Sequence, residues 1–153
     1  MWTLPGQRHV YLIDTNVISE GRKKTRANPG VTRFFSHVAA AALPVYLSVV
    51  SVGELRRGVE LVRHRGDAGQ AKLLEAWLTT LLDQFRENIL AFEADAAQVW
   101  GRLRVPHPEH ELDKQIAATA LMNDLTVVTR NTSDFERTGV KLMNPFAPVP
   151  VIE

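Results

Sequence analysis

The stretch Val10-Tyr11-Leu12-Ile13-Asp14 decides the fold of this chain, because four apolar residues run directly into an acid. A short, continuous apolar run is typical of a strand that is buried on both faces, as in a parallel sheet. The β-branched and aliphatic run over residues 45–50 repeats the pattern and is followed by Glu54. We therefore predict buried parallel strands that lead to carboxylates at their carboxyl ends.

Strands and helices alternate along the rest of the chain. Residues 88–92, 126–129 and 140–143 are predicted strands, residues 31–42, 51–62, 70–85, 93–105 and 111–123 are predicted helices, and residues 21–30 form a basic loop. This alternation predicts an α/β domain whose parallel sheet is covered by helices on both faces. Functional sites in such folds form at the carboxyl ends of the strands.

Length and composition narrow the class of protein. The 153 residues suit one domain over residues 1–153, and a net charge of +1 means that any basic surface is local. The absence of cysteine excludes disulfides, thiolate nucleophiles and cysteine zinc sites. Residues 1–6 lack the basic and apolar regions of a signal peptide, and no apolar stretch reaches membrane-spanning length. We expect a cytoplasmic protein without a membrane segment.

Four acids occupy matching places in this order of elements. Asp14 follows the first strand, Glu54 lies one turn into the next helix, Asp113 opens the helix before the strand at residues 126–129, and Asp134 lies just after that strand. Carboxylates crowded at one sheet edge repel one another unless a cation lies between them. Two or three carboxylates suffice for Mg²⁺, which keeps several waters. The pattern predicts a divalent-metal site and chemistry on a phosphodiester.

Each acid also has a purely structural explanation. Ser51 and Glu54 have capping-box spacing, in which Glu54 would accept from the Ser51 amide. Asp113 suits a helix start, and Asp14 and Asp134 suit turns in which the side chain bonds to its own backbone. The histidines are dispersed or, like His107 and His110, lie in a proline-broken loop, and we expect them to be loop residues. Glycine-rich nucleotide motifs and a serine nucleophile elbow are absent from the sequence.

Four motifs and the end of the chain together resemble one family. The segments are Leu12-Ile13-Asp14-Thr15-Asn16-Val17-Ile18-Ser19-Glu20, Ser51-Val52-Gly53-Glu54-Leu55-Arg56-Arg57-Gly58, Asp113-Lys114-Gln115-Ile116-Ala117-Ala118-Thr119-Ala120, Val128-Thr129-Arg130-Asn131-Thr132-Ser133-Asp134-Phe135 and Val140-Lys141-Leu142-Met143-Asn144-Pro145-Phe146. In this order, they resemble PIN-domain toxins of the VapC/FitB type. The resemblance covers nearly the whole chain.

The resemblance implies a three-layer α/β/α sandwich with a central parallel sheet and ribonuclease activity that depends on Mg²⁺ or Mn²⁺. By motif, Asp14, Glu54 and Asp113 are the expected metal ligands and catalytic acids. The family's fourth acid often directly follows Thr-Arg, where this chain has Asn131, and Asp134 is the nearest acid. The expected catalytic set is therefore these three acids with Asn131 and Asp134, with the number of metals left open. Thr15 and Thr129 are expected to support the ligands by hydroxyl hydrogen bonds.

The resemblance also implies partners. We expect a VapB/FitA-like antitoxin, an RNA substrate such as tRNA, a homodimer, and contact with DNA only through the antitoxin. The predicted helix at residues 70–85 has more apolar residues than the core needs. The additional ones suit an antitoxin groove or a dimer face. The cations expected to contact RNA are Arg22, Lys23, Lys24, Arg26 and Arg130. The alternative function is a catalytically weak partner of a DNA-binding antitoxin that acts in transcriptional autoregulation.

Overall fold

The computed structural model describes residues 10–146, and the prediction that residues 1–6 are not a signal peptide lies outside them. Five strands form one sheet: β1 (Tyr11–Ile13), β2 (Val45–Ser48), β3 (Ile89–Leu90), β4 (Thr126–Val128) and β5 (Lys141–Met143). Their order is β3-β2-β1-β4-β5, and every neighbouring pair is parallel. The predicted parallel α/β sheet is confirmed.

The helices connect the strands. They are α1 (Thr15–Gly21), α2 (Pro29–Ala40), α3 (Val49–His64), α4 (Ala68–Gln84), α5 (Ala94–Leu103) and α6 (Glu111–Asn123), with 3₁₀ segments at Lys24–Arg26 and Thr132–Thr138. The sequence predicts a turn where α1 begins and a loop where the first 3₁₀ segment lies, so both of these helical segments differ from the prediction. It also placed Asp134 in a loop, whereas this residue lies in the second 3₁₀ segment.

Both faces of the sheet are covered, because successive strand residues point to opposite sides. Tyr11 and Ile13 pack into a core with buried residues of α1, α2, α3 and α4. Leu12 points the other way and packs with Ile116 of α6 and Phe135 of the second 3₁₀ segment. Two separate cores on the two faces of one sheet make the predicted three-layer sandwich.

The start of α3 differs from the prediction. The helix begins at Val49 rather than at residue 51, because the Ser48 hydroxyl accepts a hydrogen bond of 3.0 Å from the Val50 amide and caps it. Ser51 is consequently inside the helix and buried, so the predicted capping box is wrong. This shift leaves the Glu54 carboxylate available for a contact with another element.

The strand order positions the site. From β1 the chain moves outward to β2 and β3, and it later returns to the other side of β1 to form β4 and β5. The connection after β1 therefore leaves the sheet edge toward β2, and the connection after β4 leaves it in the opposite direction, toward β5. This divergence opens a crevice at the carboxyl ends of β1 and β4. Among residues 10–146, no helix has the length and apolar character required to cross a bilayer.

Candidate active site

Asp14 lies at the carboxyl end of β1 and is only 3% exposed. Its Oδ1 accepts a hydrogen bond of 2.8 Å from the Thr15 amide, which caps α1. Its Oδ2 accepts bonds of 2.7 Å from the Thr129 hydroxyl and 3.2 Å from the Asn16 side-chain amide. Burial raises the pKa of Asp14, while these hydrogen bonds oppose the rise. The carboxylate is therefore held in one orientation.

Glu54, half-buried in α3, approaches Asp14 through a shared neighbour. Its Oε1 accepts a hydrogen bond of 2.9 Å from the Thr15 hydroxyl, and the amide of Thr15 donates to Asp14. Burial raises the pKa of Glu54, and the charge of Asp14 raises it further. Thr15 thus links two acids from two different elements.

Asp113 in the first turn of α6 is the most strongly perturbed acid of the group. Burial, followed by the charges of Asp14, Asp134 and Glu54, raises the pKa of Asp113 to about 6. Such effects require the carboxylates to be close together in partly dry surroundings. Thr15 bonds both Asp14 and Glu54, and ligand atoms of Asp113 and Asp134 lie within 4.8 Å of one another, so the four acids lie together at the predicted edge.

The tightest group of ligand atoms at this edge includes a histidine. One ligand atom from each of His110, Asp113 and Asp134 lies within 4.8 Å of the others, and among the described residues this is the one group of three metal-capable side chains that meets so closely. The His110 Nε2 atom is 3.6 Å from Asp134 Oδ1. His110 lies in the loop directly before α6, as expected, and its ring also lies beside Asp113 and Asp134.

Two asparagines make hydrogen bonds beside the acids. Asn16 donates to Asp14 and also accepts a hydrogen bond of 3.1 Å from the Arg130 amide, so it ties α1 to the loop after β4. The Asn131 amide donates to the Thr129 hydroxyl at 3.0 Å, whereas the Asn131 side chain is exposed. The sequence predicted no role for Asn16, although its position two residues after Asp14 indicates that it could lie beside that acid.

The basic residues expected to contact RNA are exposed, and three of them have neighbours of their own. Lys23 forms an ion pair of 2.9 Å with Glu20. The Arg22 guanidinium lies 6.0 Å from the ring centroid of Trp77, and that of Arg130 lies 4.9 Å from the ring centroid of Phe146. Lys24 and Arg26 occupy the first 3₁₀ segment. RNA contact by all five remains a prediction.

An apolar groove lies between α1, α2 and α4. Its volume is about 550 Å³, and its apolar lining comprises Ile18, Phe35, Val45, Trp77, Leu81 and Phe85. Arg22 and Lys24 line the same groove and give it a basic side. Phe35, Trp77 and Phe85 are only partly buried, so part of the apolar surface of α4 is open to a partner.

The donor set at the sheet edge fits a hard divalent cation. Carboxylate oxygens dominate it. Burial, followed by repulsion from the neighbouring acids, raises the pKa of Asp113, and a nearby positive charge favours its ionised form. Glu54, His110 and Asp113 also line one surface pocket, so the group is accessible from solvent. Without a cation, these residues would hold several like charges together at neutral pH.

Comparison with known proteins agrees with this geometry. The PIN domain family matches residues 11–141. Toxin FitB of Neisseria gonorrhoeae is 34% identical over 88% of this chain and 97% of its own length. The VapC ribonuclease Y4jK of Sinorhizobium fredii is 31% identical over 90% of this chain and 98% of its own length. A solved structure of FitAB bound to an IR36 DNA fragment is 30% identical and has a TM-score of 0.76, covering 92% of this chain and 98% of that chain.

Proposed function

This chain belongs to the PIN domain family, to its toxins of the VapC/FitB type, and we propose that it is a metal-dependent endoribonuclease and the toxin of a type II toxin–antitoxin pair. The observation that carries the proposal is the group of acids around Asp113. A ligand atom of Asp113 lies within 4.8 Å of ligand atoms of His110 and Asp134, and burial, followed by the charges of Asp14, Asp134 and Glu54, raises the pKa of Asp113. A group of acids that repel one another is costly unless it serves to hold a cation. We propose that residues 1–153 act as one domain.

We assign the catalytic acids by their positions at the sheet edge. Asp14, Glu54 and Asp113 would hold Mg²⁺ or Mn²⁺, directly or through water, and Asp134 and Asn131 complete the catalytic set. A divalent ion held there would make a water more acidic and would stabilise negative charge on the scissile phosphate. The Thr15 and Thr129 hydroxyls orient the acids through the bonds to Glu54 and Asp14.

RNA is the proposed substrate, with tRNA as a candidate target. Arg22, Lys23, Lys24, Arg26 and Arg130 would contact phosphates of the strand beside the acids. Such contacts make binding depend on salt. Because cellular RNA is found in the cytoplasm, we propose that the chain acts there.

The proposed protein partner is a VapB/FitA-like antitoxin. Relatives of this chain have been solved as toxin–antitoxin complexes, and FitAB has been solved with DNA. An antitoxin segment with apolar side chains and acidic flanks would suit the groove on α4 and its basic side. DNA would be contacted through the antitoxin, and we extend the proposal to a homodimer.

A second candidate function follows from Asn131. The position directly after Thr129 and Arg130 carries an amide where relatives of this type often carry an acid, and an amide adds no negative charge to the site. The alternative is therefore a catalytically weak PIN-domain partner of a DNA-binding antitoxin, which acts in transcriptional autoregulation.

The proposal is tested by inducing the chain without antitoxin in a bacterial host and mapping new RNA ends. We expect growth arrest and discrete new ends with the wild type and with Asp83→Asn, whose side chain is 76% exposed at the far end of α4. Asp14→Asn should abolish both effects. Growth arrest without new RNA ends, or equal arrest with Asp14→Asn, would favour the alternative.

A further inference from the structure

His110 is held at the sheet edge by its backbone. It adopts the left-handed conformation, with φ of 56° and ψ of 46°, directly before α6. Its carbonyl accepts a hydrogen bond of 2.9 Å from the Lys114 amide, so the residue forms the first turn of the helix that carries Asp113. The imidazole and the Asp113 carboxylate are therefore presented from one helix start.

The loop that precedes His110 is anchored by several contacts. The buried Lys114 ammonium donates to the carbonyl of His107, and the Arg137 guanidinium contacts the His107 ring. Trp100 donates a hydrogen bond of 2.9 Å to the carbonyl of Glu111. These contacts tie the loop to α5, to α6 and to the 3₁₀ segment that carries Asp134, so His110 approaches Asp134 from a fixed base.

We propose that His110 is a nitrogen ligand of the divalent-metal centre and binds the ion together with Asp113 and Asp134. This inference rests on the metal centre in the proposed function and assigns a residue that its motifs do not include. Ligand atoms on one ion with bonds of about 2.1 Å are roughly 3 to 4 Å apart. The 3.6 Å between His110 Nε2 and Asp134 Oδ1 agrees with that spacing.

The consequence is a change in metal preference. Mg²⁺ is best served by oxygen ligands, whereas imidazole nitrogen favours first-row transition ions. A centre with His110 should therefore bind Mn²⁺ and Co²⁺ more tightly than Mg²⁺ by a larger factor than carboxylates alone provide. Asp134, on the second 3₁₀ segment, would then bind the same centre as the other expected acids. Those acids follow β1 or lie on α3 and α6.

The sharpest variant is His110→Asn. Asparagine tolerates the left-handed conformation, so the helix start is kept while a nitrogen donor is exchanged for an amide oxygen. The matched control is His64→Ala, which removes a histidine in the last turn of α3, about ten residues and roughly 15 Å along the helix from Glu54. Thermal unfolding of each purified variant establishes that its fold is intact.

The experiment uses Mn²⁺ as an electron paramagnetic resonance probe of the full chain, without RNA. We expect pulsed spectra with the coupling of a directly bound ¹⁴N in the wild type and in His64→Ala, and its loss in His110→Asn. Titration should show Mn²⁺ affinity falling about tenfold in His110→Asn, with Mg²⁺ affinity falling by less than about threefold.

Three results would overturn the assignment: no nitrogen coupling in the wild type, coupling that persists in His110→Asn, or an unchanged ratio of Mn²⁺ to Mg²⁺ affinity in that variant. Because the readout is metal binding, it is separate from RNA cleavage. A chain that binds Mn²⁺ through nitrogen but leaves RNA intact would contradict the proposed ribonuclease and keep His110 as a ligand.

Discussion

At the scale of single residues, two threonines organise the acids. Thr15 donates its amide to Asp14 and its hydroxyl to Glu54. Thr129 is fully buried, donates to Asp14 and accepts from the Asn131 amide. Thr15 bonds to the two acids through its amide and its hydroxyl, and Thr129 bonds to two neighbours through its hydroxyl alone. These bonds set the direction in which the carboxylates of Asp14 and Glu54 point.

Replacing Thr129 with valine keeps the shape and removes these bonds. We expect Thr129→Val to lower the free energy of unfolding by about 1–3 kcal/mol, because the Asp14 carboxylate loses the shorter of two hydrogen bonds to one oxygen and the Asn131 amide loses its bond to the hydroxyl. Thr126→Val, at the start of β4, should change it by less than about 0.5 kcal/mol. Urea unfolding of both variants makes the comparison, and equal effects would show that the Thr129 hydroxyl does not orient Asp14.

The raised pKa of Asp113 predicts how stability depends on pH. The folded-state pKa is about 6 and the ordinary value is 3.8, so the folded state binds the proton more tightly than the unfolded state does. This contribution to stability is complete below about pH 4 and is lost as pH rises through 6. With metal removed by a chelator, ionised Asp113 therefore destabilises the fold at pH 7.5.

We expect Asp113→Asn to relieve that penalty. In metal-free protein, the variant should gain about 1 kcal/mol relative to the wild type between pH 4.5 and 7.5, after the shift is discounted for solvent screening. Asp83→Asn should show no such trend. Urea unfolding at the two pH values measures the difference, and parallel behaviour of the two variants would contradict the crowding of the acids.

The positions of these acids could be predicted from sequence because strand ends and helix starts fix them. His110 could not be predicted in the same way. Its place depends on a loop that Lys114 holds to α6 and Arg137 holds to the second 3₁₀ segment. These contacts join residues that have no periodic pattern. Asn16 was overlooked because its partner, the Arg130 amide, lies 114 positions away.

At the scale of elements, boundaries follow caps that short-range patterns identify only in part. The predicted bounds of α6, residues 111–123, are confirmed, whereas the seven residues of α1 are too few to give a clear helical period in the sequence. Burial of Val17 and Ile18 in the first core stabilises α1 instead. The early start of α3 likewise depends on Ser48, which ends β2 and caps the helix, so the predicted strand over residues 45–50 is two residues too long.

Gly30, near the start of α2, is required by tertiary packing. A β-carbon at this position would overlap the carbonyl oxygen of Pro145, which follows β5. We expect Gly30→Ala to lower the free energy of unfolding by about 1–3 kcal/mol. Gly58→Ala in α3 meets no atom within 4 Å and should raise it by about 0.5–1 kcal/mol. Thermal unfolding tests both signs, and a neutral Gly30→Ala would contradict the close approach of residue 145.

At the scale of the whole molecule, the two functional surfaces are built from different helices that pack on one sheet. The acids lie where β1, α3, α6 and the second 3₁₀ segment meet, and the apolar groove lies between α1, α2 and α4. The excess of apolar residues in the helix at 70–85 predicted such a surface. Its depth and its basic side depend on how α4 packs against α1 and α2, which sequence periodicity does not specify.

Trp77 lies in the groove and on none of the elements that carry the acids, so its replacement tests partner binding. We expect Trp77→Ala to weaken binding of the cognate antitoxin about thirtyfold, because a large aromatic side chain is lost from a proposed interface. Leu73→Ala is the matched control, since Leu73 lies on the same helix with 68% exposure and does not line the groove. Calorimetric titration with antitoxin measures both, and equal losses would place the interface elsewhere.

The most direct measurement is single-turnover cleavage of RNA by purified chain, with and without Mg²⁺ or Mn²⁺. We predict that the wild type and Asp83→Asn cleave only with the metal and that Asp14→Asn and Asp113→Asn, although folded, are slower by at least about a hundredfold. Cleavage at the wild-type rate by either of these two variants, or undiminished cleavage in chelator, would contradict the assignment of these acids to a metal-dependent ribonuclease.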